Sequence, residues 1–339
     1  MHVLVIKTSS LGDVVHTLPA LTDAMHAIPG IQFDWVVEES LAEIPGWHPA
    51  VDKVIPVAIR RWRKNPLATL FSSEWKTFRQ QIKARHYDKV IEAQGLMKSA
   101  FLSRMAKGDK CGLHGSVARE SLAALAYRQK FKIAKGQHAI TRVRQLFANC
   151  LAYAEPTEPI DYGIDGSRFT VENSARPSIV FLHGTTWSTK LWPELYWTQL
   201  ANMAAAKGFR VLLPWGNDEE RDRAKRIATG CVDARVLDRC SLEQMASHLA
   251  SARAVVAVDT GLGHLAAALF VPSVTIYGAT KPGLTGTVGE SQLHLCADFR
   301  CSPCLQRHCS YRGDAVVSPA CYASVDPERV WQRISTLIS

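Results

Sequence analysis

The sequence predicts an α/β protein built from two doubly wound parallel-sheet domains. The chain has 339 residues, which is enough for two or three domains. Hydrophobic residues make up 47% and charged residues 21%, a composition typical of folded globular proteins and unlike disordered, collagen-like or disulfide-stapled chains. Short apolar runs alternate with longer helical patterns in both halves, as expected for parallel sheets with crossover helices.

Eight apolar runs are predicted as buried strands, four in each half of the chain. They are too short for helices of ordinary length and are bounded by turn residues. In order they are Val3–Ile6, Phe33–Val37, Val54–Val57, Lys89–Ala93, Ile179–Leu182, Arg210–Leu213, Ala254–Val258 and Val274–Tyr277. A helical pattern follows the first strand over Val14–Ile28, and an amphipathic pattern over Pro327–Ile338 predicts a closing helix.

A stretch rich in proline, glycine and polar residues separates the two sets of strands. It runs from Glu155 to Pro177 and predicts a boundary near residue 170. We therefore expect one domain over 1–170, a second over 171–325 and a closing helix over 326–339. Two such domains facing one another would leave a cleft at their strand ends, where open α/β sheets bind ligands.

The start of the chain reads as a strand rather than as a secretory leader. The longest apolar run, Leu265–Tyr277, is broken by Pro272 and is shorter than the roughly 18 residues that span a bilayer. We therefore expect a soluble or peripheral protein. Nine cysteines in a chain without an export signal predict free thiols in a reducing compartment, with few or no disulfides.

The positive charge is concentrated in the first half. The formal net charge is +9, and residues 53–144 hold 21 basic but only 5 acidic side chains, with a dense run at Arg60–Lys64. Such a field attracts nucleic acid, an anionic lipid surface or a phosphorylated substrate. Nucleic acid is the weakest of the three because no zinc-finger, ribonucleoprotein or basic-zipper signature accompanies the charge. A solvated basic face is the alternative, which the lopsided count disfavours.

Asp13 is the first candidate for chemistry. It follows the first strand and the polar loop Lys7–Gly12, at the ligand-binding edge of the predicted sheet. A carboxylate there can act as a base, although its position alone favours a helix cap, a common role of aspartate.

The second half places a candidate phosphate cradle after its first strand. Residues 183–190 supply hydroxyls, a glycine and Lys190 just before a helix, where amide groups and a point charge can hold phosphate. The segment lacks the spacing of a Walker loop, so nucleoside triphosphate hydrolysis is disfavoured.

Two further strand ends supply polar groups to the same region. Asp259–His264 follows a buried strand and opens a helix whose dipole suits a diphosphate. The acidic run Asp218–Glu220 follows another strand and can hold sugar hydroxyls or simply begin a helix. For His264, a structural and a functional role remain equally open.

The C-terminal cysteines leave two interpretations. Their spacing provides enough thiols for a structural zinc, but it is irregular, so reduced structural cysteines are the leading interpretation and zinc the alternative. The four are Cys301, Cys304, Cys309 and Cys321.

Four ordered blocks extend over nearly the whole chain: Ile6–Pro19, Trp192–Pro193, Pro214–Gly216 and Asp259–His264. Together they closely resemble the heptosyltransferase family. Within it the heptosyltransferase I branch is the most similar, because Val57–Lys64, Ala93–Ala100 and Gly136–Ala139 also match that branch.

The resemblance implies a GT-B glycosyltransferase with two Rossmann-like domains, the acceptor on the first and the nucleotide sugar on the second. Members transfer L-glycero-D-manno-heptose from ADP-heptose to the first Kdo of Kdo2-lipid A, with inversion and without a metal cofactor. The expected partners are therefore ADP-heptose, Kdo2-lipid A and the anionic cytoplasmic face of the inner membrane. No nucleic acid partner is expected.

The resemblance also implies roles for single residues. Asp13 would be the general base and Lys190 would neutralise the leaving ADP. The donor would contact Thr185, Thr186, Lys190, Glu220, Asp259, Thr260, Gly261 and His264. The acceptor would contact Ser10, Gly12, Arg60, Arg61, Arg63, Lys64 and Arg119.

Two alternatives stay open from the sequence. The cysteine-bearing tail, 301–321, is similar to the heptosyltransferase II branch, which adds the next heptose. A non-catalytic protein that binds anionic lipid or nucleic acid would also use the basic region of the first half.

Overall fold

The computed structural model describes residues 1–169 and 176–338. The chain divides into two compact units, Met1–Asp165 and Gly166–Ser339. The boundary expected from the sequence, between residues 170 and 171, lies outside the described residues. Each unit contains a six-stranded sheet whose strands are all parallel, so the predicted fold class is confirmed.

The first unit has the strand order β3-β2-β1-β4-β5-β6. Its strands are β1 (His2–Ile6), β2 (Gln32–Glu38), β3 (Val51–Val57), β4 (His86–Glu92), β5 (Lys107–Leu113) and β6 (Gln129–Phe131). Its helices are α1 (Leu11–Val15), α2 (Leu18–Ala27), α3 (Ile59–Trp62), α4 (Pro66–Leu70), α5 (Ser73–Lys83), α6 (Met97–Met105) and α7 (Ala139–Leu151). Short 3-10 turns cover Glu39–Leu41, Pro45–Trp47 and Ser121–Ala126.

The second unit has the strand order β12-β11-β10-β7-β8-β9. Its strands are β7 (Ser178–Leu182), β8 (Arg210–Leu213), β9 (Ala234–Val236), β10 (Ala254–Val258), β11 (Ser273–Tyr277) and β12 (Gln292–Cys296). Its helices are α8 (Glu194–Ala206), α9 (Asp218–Thr229), α10 (Leu242–Ala250), α11 (Gly261–Ala268), α12 (Pro282–Thr285) and α13 (Pro327–Ile338). The 3-10 turns are Gly166–Phe169, Ser188–Lys190 and Ala320–Ser324.

All eight predicted strands are present, within a few residues of their expected bounds. Four further strands, β5, β6, β9 and β12, gave no apolar signal. They lie toward the sheet edges, and each contains polar or half-exposed positions. A parallel strand reads as a continuous apolar run where it is buried on both faces, and these four are only partly buried, which explains why the pattern missed them.

The single helix predicted over Val14–Ile28 is wrong. The structure forms two helices there, α1 and α2, separated at His16–Thr17. Pro19 stands in the first turn of α2, where its missing amide hydrogen is tolerated. In a continuous helix the same proline would remove an interior hydrogen bond, so the chain restarts instead.

The central strands β1 and β10 position the candidate residues. Leu4 and Val256, in their middles, are fully buried. Because the strands of each sheet are parallel, their carboxyl ends lie at one edge, where ligands bind in this class of fold. Asp13 lies beyond the end of β1, and Asp259 directly follows β10. Among the described helices, none has both the length and the apolar character to cross a bilayer.

Candidate functional site

The site in the first unit is built around Asp13 in the first turn of α1. Its Oδ2 accepts hydrogen bonds from the backbone N–H and the hydroxyl of Ser10, both at 3.1 Å. Asp13 therefore completes a capping box at the start of α1, whose N-cap is Ser10. The opposite oxygen, Oδ1, is left for other partners.

Two cations share that second oxygen. The ammonium of Lys7 lies 3.5 Å from Asp13 Oδ1, and the guanidinium of Arg119 lies 3.0 Å from it. The Lys7 side chain is 6% exposed, whereas that of Arg119 is 58% exposed. Lys7 also donates to the carbonyl of Ala93 at 2.9 Å, which fixes it between strands β1 and β4. The carboxylate thus has one fixed internal cation and one cation at the surface.

These contacts decide the charge states. Burial opposes ionisation of Asp13, but Lys7, Arg119 and the hydrogen bond from Ser10 outweigh it and hold the pKa of the carboxyl well below its ordinary value. Burial lowers the pKa of the Lys7 ammonium. Asp13 is therefore a carboxylate at neutral pH.

Gln94 fixes the loop that carries Ser10. Its side-chain carbonyl accepts from the backbone N–H and the hydroxyl of Thr8, both at 2.8 Å. Its amide group donates to the carbonyl of Ser9 at 2.7 Å. Because Gln94 is buried, these groups are satisfied by one another rather than by water.

Glu92, fully buried at the end of β4, fixes the second loop of the site. It accepts from the backbone N–H of Gln94 at 3.0 Å, from that of Gly95 at 2.9 Å and from the hydroxyl of Tyr127. Burial raises the pKa of Glu92. Gly95 has φ +70°, and a Cβ there would lie 3.2 Å from the backbone nitrogen of Arg119. Glu92 thereby supports the close approach that places Arg119 at Asp13.

The basic run follows β3 and so begins at the same edge of the sheet. Arg60, Arg63 and Lys64 are exposed. Arg61 is already paired: two of its nitrogens bind Glu39 at 3.2 and 2.9 Å, and a third binds Glu74 at 2.8 Å. Of the predicted acceptor cations, Arg119 contacts Asp13, whereas Arg61 is held by its acidic neighbours.

In the second unit, Asp259 joins residues from three strand ends. The ammonium of Lys190 lies 2.7 Å from its Oδ2, and the hydroxyl of Thr280 donates to the same oxygen at 2.6 Å. The hydroxyl of Thr185 donates to the Asp259 backbone carbonyl at 3.1 Å. Lys190 also lies over the Trp187 ring, 4.5 Å from its centre. The predicted cradle and the Asp259 segment therefore form one site.

His183 adds no charge to this cradle. The ring is fully buried next to Trp197, and burial, aided by the charge of Arg223, lowers its pKa to about 4. It is neutral at physiological pH, which leaves Lys190 as the cation of this loop.

Glu220 lies against the backbone of two glycines. Its Oε2 accepts from the N–H of Gly216 at 2.8 Å. A Cβ on Gly184 would lie 2.6 Å from the carboxylate carbon of Glu220, whereas a Cβ on Gly216 would lie 3.4 Å from its Oε2. The absence of a side chain at Gly184 therefore lets the Glu220 carboxylate reach the end of β7.

The remaining predicted residues occupy varied positions. Thr260 caps α11, Gly261 is its first residue, and His264 is buried within it. Thr186 is exposed in its loop. Gly12 is buried inside α1, and Ser10 is its exposed N-cap.

The tail cysteines surround a small cavity of about 20 Å³. All four of Cys301, Cys304, Cys309 and Cys321 line it. Burial and the three neighbouring thiols raise the pKa of Cys321 to about 11. All nine cysteines of the chain are free thiols.

Sequence reasoning gave no role to Lys7, Glu92, Gln94, Thr280 or Gly184. Three of them, Lys7, Gln94 and Gly184, lie inside segments singled out from the sequence, which was the available signal. Glu92 and Thr280 gave none. Thr280 meets Asp259 only in the folded sheet, and Glu92 binds the backbone N–H groups of Gln94 and Gly95, which residue types do not reveal.

The family model of glycosyltransferase family 9 (heptosyltransferase) matches residues 75–314. The lipopolysaccharide heptosyltransferase 1 of Pseudomonas aeruginosa is 53% identical over 348 aligned positions, covering 100% of this chain and 98% of the relative. By contrast, the lipopolysaccharide heptosyltransferase 2 of Salmonella typhimurium is 30% identical over 33% of this chain.

Solved structures agree with this likeness. The Escherichia coli heptosyltransferase WaaC with ADP has a TM-score of 0.88 and 47% identity, covering 99% of this chain and 100% of that one. The same enzyme with ADP-2-deoxy-2-fluoro heptose has a TM-score of 0.84 and 46% identity, covering 99% of each chain. These neighbours are GT-B glycosyltransferases, which agrees with the two parallel sheets of this chain.

Proposed function

The chain belongs to glycosyltransferase family 9, the heptosyltransferases, and from this premise we propose that it transfers a heptose from ADP-heptose to the first Kdo of Kdo2-lipid A. It is a heptosyltransferase of lipopolysaccharide core biosynthesis. The full-length likeness to a type 1 enzyme favours the first heptose addition over the second. Structures of the E. coli relative with ADP and with an ADP-heptose analogue support the donor.

The observation that carries the mechanism is the placement of Asp13. An ionised carboxylate after the central strand can accept the proton of the acceptor hydroxyl. The hydroxyl oxygen then bonds to the anomeric carbon as the bond from that carbon to the ADP oxygen breaks. Attack from the face opposite ADP is a single displacement, which inverts the configuration of the anomeric carbon.

Lys190 supplies charge to the leaving group in this proposal. In the free protein its ammonium is paired with Asp259. A diphosphate arriving at the cradle would compete for that ammonium and for the N-terminal amides of α11. Together these groups would stabilise the charge that grows on ADP, without a catalytic metal ion. Thr185, Thr186, Thr260, Gly261 and His264 are proposed to line the same donor site.

On the acceptor side, Arg119 couples binding of the acceptor to the basicity of the Asp13 carboxylate. Its guanidinium is exposed and rests on Asp13. The phosphate or carboxylate groups of the acceptor would draw it away, because an arginine fork suits both groups. Loss of this cation would raise the pKa of Asp13 and make the carboxylate a stronger base. Ser10, Gly12, Arg60, Arg61, Arg63 and Lys64 are proposed to complete the acceptor site.

Peripheral association with an anionic membrane on the cytoplasmic side fits the surface of the first unit. Next to the basic run, Leu67, Leu70 and Phe71 are 72%, 56% and 90% exposed. Exposed apolar side chains beside clustered cations are typical of proteins that bind lipid headgroups and bury apolar groups at the interface. The same charges serve a lipid acceptor.

The proposed reaction is tested with purified protein, ADP-heptose and Kdo2-lipid A without added metal ions. We expect ADP release matched by a lipid mass gain of one heptose. Asp13→Asn should lose roughly 10²–10⁴-fold in turnover, as expected for a missing general base, but keep its affinity for ADP. Near-full turnover of this variant would contradict the base assignment. ADP release without the lipid product would contradict the acceptor.

The cations around Asp13 allow a prediction of the acid limb of the pH profile of kcat/KM. A lowered pKa keeps the carboxylate ionised as the pH falls, so wild-type kcat/KM should persist to low pH. Arg119→Gln removes one stabilising charge, which raises the pKa of Asp13 and moves the acid limb to higher pH. Arg119→Lys keeps the charge and should move it less. An unchanged limb in Arg119→Gln would contradict the coupling.

Glu220 is proposed to hold the nucleoside hydroxyls. A substitution at Gly184 tests this role because it moves the Glu220 side chain without removing its carboxylate. Gly184→Ala should push the flexible Glu220 side chain aside and weaken ADP binding by roughly tenfold, since overpacking costs about 1–3 kcal/mol. Gly216→Ala, where the added Cβ has room, is the matched control. Isothermal titration with ADP measures both. Equal affinities would show that Glu220 does not contact the nucleotide.

The membrane proposal predicts the behaviour of Phe71. The paired change Leu67→Ser and Phe71→Ser should reduce co-sedimentation with phosphatidylglycerol-rich vesicles by at least roughly tenfold, because one apolar side chain fully removed from water already contributes about 1.5–3 kcal/mol. Leu195→Ser, which is 62% exposed in the second unit, should leave it unchanged. Equal binding of all three proteins would argue against insertion at this segment.

A further inference from the structure

We propose that Arg307 is a second cation of the donor site and binds the diphosphate of the nucleotide sugar together with Lys190. Arg307 lies in the tail segment, residues 297–319, which forms neither helix nor strand. Irregular segments of this length are uncommon inside compact units and usually have a function. The inference rests on the proposed function and deepens it, since it adds a residue to the same donor site.

Two hydroxyls of the Lys190 loop hold the backbone at Arg307. The Thr189 hydroxyl donates to the carbonyl of Gln306 at 2.5 Å, and the Ser188 hydroxyl donates to the carbonyl of Arg307 at 3.0 Å. Both acceptors are backbone carbonyls, so neither contact needs the Arg307 side chain. The Arg307 backbone is therefore fixed beside the loop while its guanidinium stays available.

The tail segment also contacts the loop that follows β11. The N–H of Leu305 donates to the carbonyl of Ala279 at 2.8 Å. The next residue, Thr280, donates its hydroxyl to Asp259, which also binds Lys190. The tail segment thus borders both loops that meet at Asp259, and it is attached to each of them.

The Trp187 ring brings the two cations to one place. The Lys190 ammonium lies 4.5 Å from the ring centre, and the Arg307 guanidinium lies 5.5 Å from it. Cations are attracted to the face of an indole ring, and a guanidinium can also stack on it. One ring therefore holds two positive charges at the same edge of the cradle, even though like charges repel.

The two cations differ in what they already bind. The Lys190 ammonium is paired with Asp259 at 2.7 Å, so an arriving phosphate has to compete with that carboxylate. Arg307 is exposed, and within residues 1–169 and 176–338 no carboxylate forms an ion pair with it. Its planar fork of N–H donors matches the oxygens of a phosphate group. A diphosphate at the cradle can therefore bind Arg307 without displacing an acidic side chain.

Arg300 provides a matched comparison within the same segment. Its guanidinium also lies over an aromatic ring, 5.0 Å from the centre of Tyr311, and it is also exposed. The two arginines share charge, segment and type of ring contact. They differ in the ring, since only Trp187 belongs to the loop that carries Lys190. A general effect of positive charge in the tail segment would involve both arginines, whereas a phosphate contact at the cradle involves Arg307.

The test compares ADP with adenosine, which lacks the phosphates. Isothermal titration measures ADP, and displacement of ADP measures adenosine. Arg307→Gln should weaken ADP binding by roughly tenfold, as expected when a hydrogen bond to a charged group is lost, and leave adenosine binding unchanged. Arg307→Lys keeps the charge without the fork and should lose less. Arg300→Gln should bind both ligands like the wild type.

Ionic strength provides a second readout. The difference in ADP affinity between the wild type and Arg307→Gln should shrink as salt is added, because an exposed charge is screened. A difference that does not change with salt would show that the side chain acts through packing on Trp187, and would overturn the phosphate contact.

Three other results would also overturn the proposal. They are equal ADP affinity of the wild type and Arg307→Gln, a parallel loss of adenosine binding in that variant, and an equal loss of ADP binding in Arg300→Gln. A wild-type chain that does not bind ADP would contradict the donor itself. The failure of the Arg307 assignment is therefore distinguishable from the failure of the proposed function.

Discussion

An ion pair at the end of a central strand organises the candidate site in each unit. In the first it joins Lys7 and Arg119 to Asp13, and in the second it joins Lys190 to Asp259. Largely buried charges are expensive unless paired, so each carboxylate requires its cation. Such pairs add little net stability, because desolvation offsets their attraction. Their value here is that they hold charged groups at the sheet edge before any substrate arrives.

In each unit, a substrate can compete for one partner of the carboxylate but not for the other. Lys7 is buried and anchored to the carbonyl of Ala93, so we expect it to stay with Asp13 when a substrate binds. Arg119 is exposed, and an anionic acceptor can compete for it. Lys190 is similarly offered to a diphosphate while Thr280 remains on Asp259. In both units, therefore, one partner preserves the carboxylate while the other is available to the ligand.

The supporting residues carry this arrangement into the fold. Gln94 and Glu92 satisfy backbone groups of two loops that are far apart in sequence, and so tie the Asp13 loop to the loop at Gly95, against which the backbone of Arg119 packs. The cysteine tail does the equivalent for the Lys190 loop through Thr189 and Tyr322. The geometry of the cradle therefore depends on the order of this irregular segment.

The sequence by itself determined the fold class, eight of the strands and the loops in which the candidate residues stand. Apolar runs and strand-end polar clusters are local patterns, so they can be recognised in the sequence without knowing which strands pair. Strands β5, β6, β9 and β12 were missed and the helix break before Pro19 was not predicted, because exposure and helix restarts depend on neighbouring packing. Likewise, Asp13, Arg119, Lys190 and Asp259 were all candidates from the sequence, but which of them pair with one another was not.

Only the tertiary structure decided which side chains meet. Arg119 reaches Asp13 over 106 positions, and Thr280 reaches Asp259 from the next strand of the sheet. It also showed that Arg61 is engaged by Glu39 and Glu74, although the sequence presents it as one cation in a uniform run. The physical reason is that charge pairing and burial depend on distances across the sheet, which the order of residues along the chain does not contain.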